Sequence, residues 1–289
     1  MTGEYLALCC STAGDGDAGV YGYGFDPETG VLTDRGATPF EKPTFLATGP
    51  EGRRAYVAER AGDGRVIAVA VDHAEGTVAR LDDRSSGGVG PCYVSVDGPG
   101  RFAFVANYGG GTVAMYPIGP DGGLGPVCDV VAHEGSGADP DRQAAPHPHA
   151  AVPGPDDRFL YAPDLGTDRV EQYRIDADGP GLDLVERGGA ALPPGTGPRH
   201  LVFGPDGQRA SLVGELDSTV TVLARDPDTG TLDPQASVST LPPGADASGN
   251  APADVHVHPS GRWAFVSNRG HESIATFRVD ERGGESGTE

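Results

Sequence analysis

The chain contains a single lysine, Lys42, and no long run of apolar residues. None of its apolar stretches approaches the roughly 18 residues that a membrane-spanning helix needs, and its first residues lack the basic segment of a signal peptide. We therefore expect a soluble cytoplasmic protein without a membrane partner. The 42 acidic residues outnumber the 21 basic ones and give a formal net charge of −21. A surface with that charge repels nucleic acids, so we expect no nucleic-acid partner either.

The sequence is also poor in aromatic residues and in recognisable catalytic motifs. Only 7% of the residues are aromatic, so the core must consist mainly of valine, leucine and alanine. The four cysteines have no metal-ligand spacing and are predicted to be reduced thiols. The chain lacks a G-x-S-x-G nucleophile motif, an H-E-x-x-H metal motif and a phosphate-binding glycine loop. We expect neither a metal ion nor any other cofactor.

Turn residues are abundant, with 46 glycines and 26 prolines, and they occur in a repeat. Each copy has an apolar run, a Pro-Asp-Gly-like turn and a second apolar run that ends in a polar residue. An alternating strand and an acidic, glycine-containing turn follow each copy. Units of about 50 residues with four short strands and no helical period predict the antiparallel blades of an all-β propeller. The clearest copies lie at 44–60, 92–108, 149–165, 199–216 and 253–269.

The turns of the five copies define equivalent positions along the chain, at Gly52, Gly100, Asp157, Gly207 and Gly261. We expect a single propeller domain of about six blades over residues 1–280, followed by an acidic, glycine-rich tail at 281–289 that forms no strand. The first strand has no inner partner in this pattern. The repeat therefore predicts a ring that does not close, with the last blade missing.

In each blade, the start of the innermost strand and the end of the next strand should lie at the same rim of the central channel, because the two strands are antiparallel neighbours. Among the strand starts, only His149 and Arg199 are strongly polar and able to act on a ligand. Arg269 follows the last strand end. Equivalent positions that differ so sharply indicate an asymmetric ligand, although Asn and Asp at strand ends also cap turns. The polar strand ends are Glu59, Asn107, Asp164, Glu215 and Asn268.

Two further histidines lie close to these positions in the sequence. His147 has the same strand parity as His149, so it could line the rim one step further out. His200 has the opposite parity from Arg199, and we expect it to tether the blade. The residues that we expect to bind substrate are therefore His147, Asn107, Asp164, Asn268 and Glu59.

Segments 146–173, 197–223 and 263–277 resemble the bacterial 6-phosphogluconolactonase family of the seven-bladed propeller type, which is related to the fungal 3-carboxymuconate lactonizing enzyme. The combination of Gly-Pro-Arg-His, Glu-Leu-Asp-Ser and Ser-Asn-Arg-Gly is the most specific part of the resemblance, which extends from Tyr5 to Asp280. It implies a seven-bladed ring closed by a C-terminal strand. It also implies catalytic residues at the matching positions, namely His149, Arg199, Glu215 and Arg269.

Three functions are compatible with these residues. The favoured one is hydrolysis of an anionic sugar lactone, first of all 6-phosphogluconolactone. In this reaction the arginines hold the phosphate or stabilise the oxyanion, and either Glu215 or His149 deprotonates water. The second is cycloisomerisation of a muconate-type diacid by the same residues. The third is a non-catalytic scaffold, which the unequal repeat spacing and the asymmetric histidine and arginine positions disfavour.

Overall fold

The computed structural model describes residues 4–12, 17–176, 178–179, 181–185, 188–279 and 285–288. Within these ranges every regular element is a β-strand, as the repeat predicts, and the strands form six antiparallel sheets. The chain divides into two compact units, Met1–Val131 and Ala132–Glu289. The expectation of a single domain over residues 1–280 stays a prediction.

The first unit is built from three sheets in which each strand pairs with its neighbours in sequence. The first sheet has three strands, and the second and third have four each. The strands are β1 (Tyr5–Ser11), β2 (Gly19–Phe25) and β3 (Leu32–Pro39), then β4 (Pro43–Thr48), β5 (Arg54–Glu59), β6 (Arg65–Asp72) and β7 (Thr77–Ser85), then β8 (Pro91–Val96), β9 (Phe102–Asn107), β10 (Thr112–Pro117) and β11 (Asp129–Ala132).

The second unit contains the fourth, fifth and sixth sheets. The fourth has five strands, because the short strand β16 pairs with β14 beside β15. The strands are β12 (Val152–Pro153), β13 (Phe159–Asp164), β14 (Arg169–Asp176), β15 (Gly181–Leu184) and β16 (Ala190–Ala191), then β17 (Pro198–Phe203), β18 (Arg209–Gly214), β19 (Thr219–Arg225) and β20 (Leu232–Ser239), then β21 (Ala251–Val257), β22 (Trp263–Arg269), β23 (Ser273–Val279) and β24 (Glu285–Thr288).

The sixth sheet differs from the sequence-based expectation at its outer edge. We expected no strand in residues 281–289, but Glu285–Thr288 forms β24 and pairs with β23. This expectation was wrong, because the outer edge of β23 presents backbone groups that even a short polar segment can pair with. Residues 281–284 and Glu289 lie outside the described residues.

The hairpin turns confirm the equivalent positions predicted from the repeat. The four turn glycines have φ values of 66°, 73°, 66° and 69° in chain order, and Asp157 has a φ of 54°. In every copy the backbone N–H at this position donates to the carbonyl three residues earlier. Glycine adopts this left-handed conformation without a steric cost, and aspartate is one of the few other residues that tolerate it.

The middle sheet of each unit is buried on both faces. In β5, Val57 packs into one apolar cluster and Tyr56 packs into another. In β18, Leu212 and Val213 divide between two clusters in the same way. Because successive side chains point to opposite faces of a strand, a continuous apolar run can fill the space on both sides of a sheet. This is why the second run of each repeat shows no alternation of polar and apolar residues.

The antiparallel register brings the start of the inner strand next to the end of the second strand within a sheet, as expected. In both units a proline near the strand start is the partner of the polar strand end or of the residue before it. The pairs are Pro43 with Glu59, Pro91 with Asn107, Pro148 with Asp164, Pro198 with Gly214 and Pro252 with Asn268.

Candidate active site

Two β-bulges in the second unit present the key side chains. The register shifts around Arg199 and His200 in β17, and around Ala253 and Asp254 in β21. A bulge places extra residues opposite the partner strand and changes the direction of their side chains. Arg199 and His200 are therefore both directed towards the bulge of the sixth sheet. Arg199 Nη1 donates to the Ala253 carbonyl, and His200 Nδ1 is hydrogen-bonded to Asp254 Oδ1.

Three arginines surround the Glu215 carboxylate, which lies in the turn after β18. Arg142 Nη2 is 2.5 Å from Oε1. Arg269 Nη2 is 2.6 Å from Oε2, and Arg199 Nε is 2.9 Å from the same oxygen. Only 5% of the Glu215 side chain is exposed, so a buried anion holds three cations around it.

The arginines differ in how firmly they are held. Arg199 Nη1 donates to the Ala253 carbonyl, and Arg269 Nε donates to the Ala251 carbonyl at 3.0 Å. The Arg199 side chain is 13% exposed, whereas the Arg142 and Arg269 side chains are 42% and 51% exposed. Arg199 is thus the fixed inner guanidinium of the site, and the other two face solvent.

The electrostatics of the cluster favour the ionised form of Glu215. Burial by itself acts to raise the pKa of this carboxyl group. The hydrogen bond from Arg142 and the charges of Arg269 and Arg199 outweigh burial, so the pKa lies below its ordinary value. Glu215 is therefore an anion engaged by arginines across the neutral pH range.

His149 lies just before β12, the first strand of the fourth sheet, and its ring lies beside the arginine cluster. Its backbone N–H donates to the Pro163 carbonyl at 2.8 Å, and its ring stands edge-on to His200 with the ring centroids 5.4 Å apart. Burial, followed by the charge of Arg199, holds the pKa of His149 well below 6.5. The imidazole is consequently neutral at neutral pH. The four residues selected from the sequence thus come from three consecutive sheets to one place in the second unit.

Arg142 was missed in the sequence because it lies in an irregular loop that has no counterpart in the other repeats. Asp139 Oδ1 accepts hydrogen bonds from the backbone N–H groups of Asp141 and Arg142, which forms a capped turn. The next residue, Gln143, is fully buried and donates to the Leu165 carbonyl at 2.8 Å. The only signal available was this Asp-Pro-Asp-Arg-Gln segment, whose turn-forming aspartate says nothing about the direction of the arginine.

Asp168 joins the Arg142 loop to the entry of β17. Its Oδ1 accepts hydrogen bonds from Gln143 Nε2 and from the Gly197 backbone N–H, both at 2.8 Å. Its Oδ2 accepts one from the Gly195 backbone N–H at 2.8 Å. One buried carboxylate therefore sets the relative positions of the segments that carry Arg142 and Arg199.

Two predicted substrate-binding residues of the first unit are buried tethers. Asn107 is fully buried, and its Nδ2 donates to the Ser86 carbonyl at 2.8 Å. Glu59 is 3% exposed and accepts a hydrogen bond from the Glu41 backbone N–H at 2.8 Å. Both hydrogen bonds stabilise neighbouring loop segments, and the assignment of the two residues to substrate binding stays a prediction.

Asp164 and Asn268 of the second unit are likewise buried, and their assignment to substrate binding also stays a prediction. Asp164 is fully buried, and its carboxylate accepts the His147 backbone N–H at 2.8 Å and pairs with His133 Nδ1 at 2.6 Å. Asn268 is 4% exposed and donates to the Thr240 carbonyl at 2.9 Å. Asp164 acts on the site indirectly by holding the backbone of the segment that leads to His149. His147 itself is partly exposed and stays a candidate for substrate contact.

The two neutral histidines make the stability of the fold depend on pH. Burial lowers the pKa of His200 to about 4, despite its hydrogen bond to Asp254. As the pH falls from 6.5 towards 4, histidines of the unfolded chain bind protons that His149 and His200 do not bind in the native state. The free energy of unfolding must therefore decrease, by about 1.4 kcal/mol per pH unit for each such histidine.

We expect His200→Gln to make this decrease of the unfolding free energy with falling pH shallower by about that amount in urea unfolding. Identical slopes for the variant and the wild type would contradict a neutral His200.

Known proteins resemble this chain over nearly its whole length. The family described as "Lactonase, 7-bladed beta-propeller" matches residues 5–287. The 6-phosphogluconolactonase of Bacillus subtilis (strain 168) is 34% identical over 284 residues, which cover 98% of this chain and 80% of that protein. The 6-phosphogluconolactonase of Pectobacterium carotovorum is 32% identical over 243 residues, which cover 84% and 68%. The solved structure of the Pseudomonas aeruginosa periplasmic gluconolactonase has a TM-score of 0.86 at 30% identity and covers 97% of this chain and 80% of that one.

Antiparallel sheets of three to five strands that repeat along the chain are the blades of a β-propeller protein. The chain belongs to the lactonase family of seven-bladed β-propellers, and it is a lactone-hydrolysing enzyme. The resemblance read from the sequence motifs is thereby confirmed. In the described part of the chain, no helix is long and apolar enough to cross a membrane.

Proposed function

We propose that this lactonase hydrolyses an anionic sugar lactone, with 6-phosphogluconolactone as the first candidate, at a site formed by His149, Arg199, Glu215 and Arg269. The observation that carries the proposal is the cluster of three guanidinium groups on Glu215 beside a neutral imidazole. In a protein with a formal net charge of −21, this cluster is a local positive centre. Such a centre attracts an anion at short range although the whole molecule repels it at long range.

We assign His149 as the general base. Its lowered pKa leaves the ring neutral, and a neutral imidazole has one nitrogen with a lone pair that can accept a proton. Glu215 is less suited to this role, because both of its oxygens accept hydrogen bonds from arginines and its pKa is lowered. A carboxylate engaged in this way orients the guanidinium groups. We therefore favour His149 over Glu215, the two residues between which the sequence left the choice open.

The reaction then has two steps. His149 takes a proton from water while the water oxygen bonds to the lactone carbonyl carbon, and the carbonyl oxygen becomes an oxyanion that Arg199 stabilises. The electrons of the oxyanion next restore the carbonyl, and the bond between the carbonyl carbon and the ring oxygen breaks. The protonated His149 returns its proton to the departing alkoxide. The product is the open-chain hydroxy acid, and the site regains its initial protonation state.

The two solvent-facing arginines suit the phosphate of the substrate. Arg142 and Arg269 each present an exposed guanidinium, and a planar guanidinium matches two phosphate oxygens at once. Arg199 is better enclosed and more firmly held, which suits it to the reacting carbonyl group. The site thus separates a binding function at the surface from a stabilising function inside.

Removing Arg142 should weaken recognition of the phosphate without affecting the chemical step. For Arg142→Ala we expect KM for 6-phosphogluconolactone to rise about 10- to 100-fold, as for the loss of a charged hydrogen bond, while kcat changes little. Unphosphorylated gluconolactone provides the control substrate, and its kcat/KM should stay close to the wild-type value. Equal losses for the two lactones would contradict the assignment of Arg142 to the phosphate.

The decisive experiment is an assay of lactone hydrolysis corrected for the spontaneous opening of the ring. The panel should contain 6-phosphogluconolactone, gluconolactone and a muconate-type diacid. Faster hydrolysis of the phosphorylated lactone than of the neutral one supports the proposal. Turnover of the diacid without turnover of either lactone would favour a lactonizing reaction at the same residues.

Activity on 6-phosphogluconolactone would place the enzyme in carbohydrate metabolism, in the pentose phosphate pathway of the cytoplasm.

A further inference from the structure

A chain of hydrogen bonds runs from Asp254 through His200 to Arg199. His200 Nδ1 is 2.8 Å from Asp254 Oδ1, and His200 Nε2 is 3.1 Å from Arg199 Nη1. Only 6% of the His200 side chain is exposed, so solvent competes little for these bonds. The sequence predicted that His200 tethers the blade. That role accounts only for the Nδ1 contact with Asp254, because Nε2 contacts Arg199.

The hydrogen-bond partners of His200 require one tautomer. An arginine N–H can only donate, so His200 Nε2 must accept and cannot carry a proton. The proton of the neutral ring is then on Nδ1, where it donates to the Asp254 carboxylate. Burial lowers the pKa of His200 to about 4, so the ring keeps its acceptor nitrogen at neutral pH.

Asp254 is itself held in place at the bulge of β21. Its backbone N–H donates to Ser267 Oγ at 3.1 Å, and its Oδ1 also accepts the Val255 backbone N–H at 2.9 Å. Its other carboxylate oxygen is 3.1 Å from His256 Nε2. The His256 side chain is 76% exposed, so it lies outside the buried part of this chain of hydrogen bonds.

We infer that His200, oriented by Asp254, is a positioning residue for Arg199. The guanidinium has Glu215 on its Nε and both His200 and the Ala253 carbonyl on its Nη1, and these partners leave it a single orientation. This inference deepens the proposed function and rests on it, because Arg199 is the group assigned to the oxyanion. A stabilising donor must already point at the developing charge before the reaction starts.

The test compares two replacements that each imitate one ring nitrogen. In His200→Gln the side-chain oxygen can accept near the position of Nε2, whereas in His200→Asn the amide can only replace Nδ1 and its bond to Asp254. We expect kcat to fall about 10- to 100-fold in His200→Asn with KM little changed, as for a displaced catalytic group. His200→Gln should recover most of the loss. The control is His256→Gln, which alters the same carboxylate without touching Arg199 and should keep the wild-type kcat.

A second readout measures the position of Arg199 without any substrate. The Arg199 Nε–H resonance, assigned from its loss in Arg199→Lys, should shift and exchange faster in His200→Asn and stay near the wild-type position in His200→Gln. Asp254→Ala provides an independent variant. It removes the acceptor of the Nδ1 proton, so the His200 ring loses its fixed orientation and the resonance should move there too.

Equal kcat losses in the glutamine and asparagine variants, with the Arg199 resonance unchanged in both, would overturn the inference. The two proposals can fail separately. If the wild type shows no lactone hydrolysis but the Arg199 resonance still moves in His200→Asn and Asp254→Ala, His200 positions Arg199 and the proposed function is wrong.

Discussion

Replacing His149 with alanine is expected to lower kcat for lactone hydrolysis by about 10²- to 10⁴-fold, the usual contribution of a well-placed general base. The pKa of His149 lies well below 6.5, so the wild-type rate should be independent of pH above 6.5 and fall only at lower pH as the ring becomes protonated. The alanine variant has no group that titrates in this role. Its remaining rate should therefore lack this acidic decrease, which initial-rate measurements across the pH range will show.

The matched control for His149→Ala is His258→Ala, which removes an exposed histidine from the turn between β21 and β22. This variant should hydrolyse the lactone at the wild-type rate. Added imidazole should restore part of the activity of His149→Ala and none of that of Arg199 variants, because it can supply a base but not a fixed guanidinium. A His149→Ala enzyme with an unchanged kcat and an unchanged pH profile would remove this residue from the mechanism.

Replacing Arg199 with lysine is expected to lower kcat by about 10²- to 10³-fold, comparable to the loss of an oxyanion donor. Lysine keeps the positive charge but cannot donate to Glu215, His200 and the Ala253 carbonyl from one planar group. The variant therefore tests whether a positive charge at this position is sufficient for catalysis or whether the planar guanidinium with its three hydrogen-bond partners is required. If charge alone were sufficient, Arg199→Lys would retain most of the activity.

The same exchange at Arg209, at the start of β18 in the same sheet, is the matched control. Arg209→Lys preserves charge far along the strand from Glu215, so both kcat and the melting temperature should match the wild type. The melting temperature of Arg199→Lys should also be close to the wild-type value, because Glu215 retains the bonds from Arg142 and Arg269. A large loss of stability in Arg199→Lys would mean that the lower kcat reports unfolding.

The blades could be predicted from the sequence because their turns impose local requirements. A residue with positive φ is needed at each hairpin, and the sequence supplies glycine or aspartate there at regular intervals. The neighbouring apolar runs follow from strands that are buried on both faces. β24 could not be predicted in this way, because its pairing depends on the free edge of β23 and not on its own composition.

The candidate site could be predicted only in part. His149, Arg199 and Glu215 occupy strand starts and ends that antiparallel pairing must bring to one rim, so position in the repeat was informative. Burial of Asn107 and Asp164 was not predictable, because a polar strand end can either face a ligand or hold a loop. Which alternative applies depends on loops that follow no repeat.

Strand order, turn positions and the residues at the strand ends were available from the chain alone, because each depends on interactions between residues close in sequence or on antiparallel pairing. The role of Glu215 as the anchor of three arginines required the folded protein. Arg142 is 73 residues away from Glu215 in sequence, and Asp254 is 54 residues away from His200. Contacts over such separations arise where irregular loops and bulges of different sheets meet, and no local pattern encodes them.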